Sequence, residues 1–163
     1  MNEVVTSYTE APNRSVTAGG VSFVYRDLGP RNGIPVVFLV HLAAVLDNWD
    51  PRVVDGIAAE HRVIAFDNRG VGGSSGTTPS TIEAMAADAV TFIEALGLEQ
   101  VDLHGFSMGG MVAQVIAQTH PELVRKLIPD AGHGGIFQFH DQFVQTALDF
   151  LDRDVSTSDR GER

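Results

Sequence analysis

Val101–Gln118 reads VDLHGFSMGGMVAQVIAQ. A stretch of strand length, Val101–His104, gives way at Gly105-Phe106-Ser107-Met108-Gly109 to a segment with small and apolar residues at helical spacing. A Gly-x-Ser-x-Gly string alone occurs by chance, but between a strand and a helix its parts have work to do. The glycines leave room for a tight, strained turn that lifts the serine Oγ clear of a sheet, and the helix-start amides, Met108 included, face the place where an oxyanion would form. Ser107 is therefore the candidate nucleophile.

Working outward from this stretch, strands and helices alternate. Pro35–His41 (PVVFLVH) and Arg62–Gly70 (RVIAFDNRG) are further continuous apolar runs, as expected of strands covered on both faces. Helical features fall at Asp50–Glu60 and at Ser80–Leu96. In the second, Ser80 or Thr81 can cap, Glu83 stands where a capping-box acid belongs, and Gly97 ends the helix. Met108–Thr119 reads as a helix closed by Pro121, Val124–Ile128 as one more strand, and Gln138–Asp152 as a last helix with Phe139, Phe143, Ala147, Leu148 and Leu151 on one face. Nearer the N-terminus, Val21–Gly29 alternates like an outer strand that ends in a hairpin-like turn at Pro30–Pro35, after a polar leader. Such alternation predicts an α/β fold, a mostly parallel sheet flanked by helices. Residues 1–152 are expected to form one domain, and residues 153–163 a fraying tail.

Composition narrows the function. With no cysteine, disulfides, thiol nucleophiles and thiolate metal sites are excluded. A formal charge of −10, with basic residues scattered, argues against nucleic acid. No apolar run reaches membrane-spanning length and the leader lacks the pattern of a secretory signal, so a cytoplasmic protein is expected. The turn DNRGVGGSS has neither the Lys-Ser/Thr of a P-loop nor dinucleotide-binding spacing, and the histidines and carboxylates show no convincing metal spacing.

Several motifs in order resemble the α/β-hydrolase family. VVFLVH with LAAVLDNWDP is similar to its strand and oxyanion loop. DNRGVGGSS is similar to its D-x-R-G-x-G-x-S turn, GFSMGG to its nucleophile elbow, and DAGHGG to its histidine loop. The resemblance implies Ser107 as nucleophile, His133 as general base, and the amides of Met108 and of Leu42 or Ala43 as oxyanion donors. It also implies that His41 organises the oxyanion loop and that His104 is structural. A solvated or capping role suits His61, His120 and His140, which fall on helix ends or in the last helix.

The lid and the late strand that carries the triad acid in the family are absent between VRKLI and PDAGH, so this is a reduced core without a lid domain. Val124–Asp130 is expected to serve as one hybrid strand that delivers His133 beside Ser107. Asp130 is the leading candidate acid, with Asp47 or Asp102 as alternatives, and a Ser-His pair without an acid also stands. The implied activity is cofactor-free hydrolysis of small carboxylic esters through an acyl-enzyme intermediate, with perhydrolysis as an alternative use of the site. A non-enzymatic scaffold that binds a small ligand or a partner is the competing reading. The missing strand leaves a sheet edge that a second copy of the chain could cover, so a homodimer is expected.

Overall fold

The computed structural model describes residues 7–129 and 139–154. Six strands form one mixed sheet: β1 (Arg14–Ala18), β2 (Val21–Leu28), β3 (Val36–Leu39), β4 (Val63–Phe66), β5 (Val101–Gly105) and β6 (Val124–Pro129), in the spatial order β1-β2-β4-β3-β5-β6. The last four run parallel, while β1 and β2 are antiparallel additions at one side. Among the described residues the α-helices are α1 (Pro51–Ala58), α2 (Ile82–Ala95), α3 (Met108–Thr119) and α4 (His140–Asp152).

The period-two geometry of strands sorts the apolar runs into two cores. Val36 and Phe38 of β3 face one way, with Val53, Val54 and Ile57 of α1 and Ala147 and Leu151 of α4. Val37 and Leu39 face the other way, with Ala89, Phe92 and Ile93 of α2 and Val112 and Ile116 of α3. Helices therefore cover both faces, which is why the central strands read as unbroken apolar stretches.

Local signals explain the helix ends. Asp50 caps α1 by accepting the Arg52 N–H at 2.9 Å, with Pro51 in the first position where its missing N–H costs nothing. Of the two residues able to cap α2, Thr81 does so, its Oγ1 accepting the Ala84 N–H at 3.2 Å. At the other end of the chain, Lys126 Nζ donates to the Phe150 and Leu151 carbonyls of α4 at 2.8 and 2.7 Å and also to that of Arg153. A buried lysine on β6 thus fastens the last turn of α4 to the sheet.

Two expectations are corrected. Val21–Leu28 is not an outer strand, and the turn after it closes no hairpin with the following strand: β2 lies between β1 and β4. β1 escaped notice because its side chains are exposed or half-exposed on both faces, leaving no alternation to read. The polar leader is also docked. Tyr8 is 1% exposed, its hydroxyl donating to the Leu46 carbonyl at 2.7 Å and its N–H to Asp55 Oδ1 at 2.6 Å. Burial pushes the Tyr8 phenol above its ordinary range although the Arg26 guanidinium, 4.8 Å from the ring centre, opposes it. Among the described residues, no helix is long and apolar enough to cross a membrane.

Candidate active site

Ser107 joins β5 to α3 with φ 54° and ψ −116°, a conformation that costs an L-residue about 1–3 kcal/mol and persists only where its surroundings enforce it. The enforcement is visible in the two flanking glycines. A Cβ at Gly105 would lie 2.6 Å from the Gly109 carbonyl oxygen, and one at Gly109 only 1.9 Å from the Leu39 carbonyl oxygen. Any larger residue would force β5, β3 and the start of α3 apart. The turn is then stitched by Phe106 N–H to the Leu39 carbonyl (3.0 Å), Gly109 N–H to Phe106 (2.9 Å) and Gly110 N–H to Ser107 (2.9 Å). Met108 opens α3, so its amide belongs to the first turn, where no intrahelical acceptor is in reach.

Across from the elbow, the loop after β3 turns through His41-Leu42-Ala43-Ala44, closed by Ala44 N–H to the His41 carbonyl at 3.2 Å. Ala43 sits at φ 55°, the left-handed position that glycine favours in such a turn. Leu42 is 67% exposed, and the His41 ring meets Phe106 edge-on at 5.1 Å. Leu42, Ala43 and Met108 all line one cavity of about 80 Å³, whose far wall includes Arg69, Met85 and Asp88. The predicted oxyanion residues are therefore brought together. Arg69 Nε lies 2.8 Å from Asp88 Oδ2, and burial holds the Asp88 carboxyl above the usual range against the pull of that guanidinium.

What holds the loop is Asp67, the first residue of the glycine-rich turn. Its Oδ1 accepts the Leu46 N–H at 2.8 Å and its Oδ2 the Gly73 N–H at 2.9 Å, while its carbonyl accepts the Ser74 hydroxyl at 2.7 Å. Gly72, at φ 56°, has no room for a Cβ, which would sit 2.3 Å from Asp67 Oδ2. With Tyr8 on its carbonyl and Asp67 on its amide, Leu46 pins the end of the loop from both sides. This role was only partly legible: the turn was recognisable, but the acceptor it offers to residue 46 is a long-range contact.

Ser107, Met108, Leu42 and Ala43 thus lie at the carboxyl edge of the parallel strands, while His133 and Asp130 fall outside the described residues. The strand that leads to them is in register: Pro129 of β6 stands opposite Gly105 of β5. Asp102, one alternative acid, is the second residue of β5, at the end of the strand away from Ser107 and roughly 16 Å from it at strand rise. It is completely buried and bound by both arms of Arg125, the Nε–Oδ1 bond being 2.9 Å. Asp47, the other, is 75% exposed and paired with Arg26 at 2.7 Å.

The other described histidines lie outside the lining of the cavity formed by Leu42, Ala43 and Met108. His120 lies 2.9 Å from the Thr119 hydroxyl and His140 3.2 Å from Asp141, whereas His61 reaches across to Asp152 of α4 at 3.3 Å. His104 is fully buried, its ring packed against Phe38, Trp49 and Phe143, and burial drives its pKa from 6.5 down to about 4 against the influence of the Ile128 main chain. Among the described residues no group of three or more histidines and carboxylates could hold a metal.

Residues 34–160 match the model of the alpha/beta hydrolase fold family, with the elbow inside the matched span. The chain belongs to the alpha/beta hydrolase fold family. It is 38% identical over 116 residues to a non-heme chloroperoxidase of Streptomyces lividans, covering 69% of this chain and 41% of that protein. A shorter stretch of 85 residues is 32% identical to 3-oxoadipate enol-lactonase 1 of Acinetobacter baylyi, covering 52% of this chain and 32% of the lactonase. Among solved structures, an α/β-hydrolase fold protein from Chitinophaga pinensis superposes with a TM-score of 0.74 at 38% identity, over 87% of this chain and 53% of that one. The hydrolase chain therefore spans about a third to a half of the length of these relatives.

Proposed function

We propose that this α/β-hydrolase cleaves small carboxylic esters by acyl transfer to Ser107. The observation that carries the reading is the strained elbow itself. A backbone held at φ 54° between two glycines that tolerate no side chain has no structural benefit that an ordinary turn would not supply more cheaply. Ser107 Oγ attacks the carbonyl, His133 takes the proton and returns it to the leaving alcohol, and the Met108 amide with that of Leu42 or Ala43 receives the developing negative charge.

Chain reach supports His133. Three residues lie between it and Pro129, so chain length alone limits it to about 14 Å from a residue paired opposite Gly105. Asp130 remains the proposed acid, because Asp102 is engaged at the opposite end of its strand and Asp47 is a solvent-exposed partner of Arg26. The reaction needs no cofactor on this reading. Small acyl groups are preferred, since the cavity beside the oxyanion loop is only about 80 Å³. The similarity to a protein named chloroperoxidase keeps perhydrolysis at the same serine as a side reaction. Among the described residues β6 is an edge strand, and on this reading a second copy of the chain covers it in a homodimer; a cytoplasmic location is part of the same proposal.

A second reading, a scaffold that binds a small ligand or partner without turnover, is favoured by one fact: VRKLI runs directly into PDAGH, without the strand that bears the family's usual acid. Hydrolysis of p-nitrophenyl acetate through octanoate, by this protein and by Ser107→Ala, separates the two. The esterase reading expects turnover that falls with acyl length and drops at least about a hundredfold in the variant. Equal rates in both proteins would leave the scaffold reading standing.

A further inference from the structure

His104 is the one imidazole that the proposed chemistry does not use and that solvent does not reach. It lies on β5 three residues before Ser107 and is 0% exposed; among the described residues no side chain bonds its ring nitrogens, and the polar group that faces them is the Ile128 main chain of β6. Its walls are aromatic: Phe38 of β3 at 4.8 Å between ring centres, Trp49 at 5.5 Å and Phe143 of α4 at 5.2 Å. The Trp49 indole nitrogen is buried without a partner among the described residues. A neutral ring tolerates this box, whereas an imidazolium has two N–H donors and a full charge to satisfy in it.

We propose that His104 is a proton-operated latch for α4: the neutral ring accepts Phe143 as its cover, and protonation expels that cover and undocks the helix from the sheet. Three observations direct the response to α4 rather than to the whole fold. Phe38 and Trp49 are 0% and 3% exposed and belong to the central body, whereas Phe143 is only partly buried and sits on the peripheral helix, so displacing it is the shortest way to admit water. α4 packs on α1 through a close approach at Gly56, where a Cβ would lie 2.7 Å from Val144 Cγ1. Beyond the buried contacts of Ala147, Leu148 and Leu151, its fastenings are polar and peripheral, namely His61 with Asp152 and Lys126 with the terminal carbonyls. Such an element opens at lower cost than the sheet.

The charged groups on the surrounding elements do not offset the charge. On the same face of the sheet, Asp102 is already bound by Arg125, and Lys126 is committed to α4 carbonyls. Asp50 before α1 is paired with Arg52, Asp47 with Arg26, and the first residues of α4, His140 and Asp141, with each other. β6 presents only the Ile128 main chain. The sign follows from burial, which lowers the folded-state value from 6.5 to about 4: docking is complete above 6.5 and is lost as the pH falls from there through 4.

The chain carries a single tryptophan, Trp49, and it is a wall of the box. Its fluorescence, followed with far-ultraviolet circular dichroism from pH 7 to pH 3, reads the latch directly. The full-length protein should show quenching and a red shift together with loss of helix equivalent to the 13 residues of α4, at a shared midpoint between pH 6.5 and 4. His104→Phe fits the aromatic box and should move that midpoint down by at least about one pH unit. His104→Leu serves the same purpose should the phenylalanine not fold. Asp152→Asn, which removes the partner of His61 at the end of α4, should leave the midpoint within about 0.3 units if His104 is the trigger. A midpoint unmoved by the His104 variants, or one abolished by Asp152→Asn alone, overturns the proposal.

Discussion

Gly109 and Gly110 are neighbours in the first turn of α3, and replacing each by alanine should have opposite effects. Helix propensity favours alanine over glycine by about 1 kcal/mol at either position. At Gly110 the added Cβ would meet nothing closer than the Gly105 carbonyl oxygen at 3.4 Å, an ordinary contact. Gly110→Ala should therefore be neutral or stabilising by up to about 1 kcal/mol. At Gly109 the same atom would lie 1.9 Å from the Leu39 carbonyl oxygen, 2.5 Å from its carbon and 2.9 Å from the Val40 carbonyl oxygen. Carbon–oxygen contacts settle at about 3.3–3.6 Å, so α3 would have to retreat from β3 by about 1.4 Å.

That retreat is expensive because the Leu39 carbonyl also accepts the Phe106 N–H at 3.0 Å and so ties β3 to the elbow. Overpacking against backbone outweighs the propensity gain, and Gly109→Ala should lose about 2 kcal/mol or more. Urea unfolding monitored by circular dichroism measures both variants on one scale, with unchanged denaturant slopes confirming the comparison. If Gly109→Ala were as stable as Gly110→Ala, the close approach of α3 to β3 would be wrong, and with it the account of why Ser107 is held in its strained conformation.

Asp67→Ala removes the acceptor for the Leu46 and Gly73 amides and should cost about 2–4 kcal/mol in urea unfolding, with a further fall in ester turnover as the 41–46 loop loosens. Arg125→Ala leaves the fully buried Asp102 without its cation and should destabilise by about 3–5 kcal/mol, whereas the pH profile of ester turnover should keep its shape because Asp102 lies at the far end of β5. A shifted profile would return Asp102 to the list of candidate acids.

Read alone, the chain determines the order of elements from Val21 to Leu151, the parallel core, and the serine between strand and helix. These are local properties: apolar runs of strand length, three- and four-residue spacing, a capping threonine, and glycines at a turn each act within a dozen residues. α3 illustrates the point, its bounds at Met108 and Thr119 being those its sequence signals mark. Tertiary structure alone decides what depends on residues far apart in the chain. β1 has no periodicity of its own and is a strand because β2 offers it an edge. Tyr8, in a polar leader, is buried because the Leu46 carbonyl and the Arg26 guanidinium lie where its ring can reach them. Asp67 holds the oxyanion loop through a bond spanning 21 positions. Asp102 looked available from its place near Ser107 in the sequence, yet the rise of an extended strand carries it to the opposite edge of the sheet, where Arg125 binds it. His104 follows the same rule: a histidine in an apolar run is visible in any sequence, but only the packing of α4 shows which helix covers it.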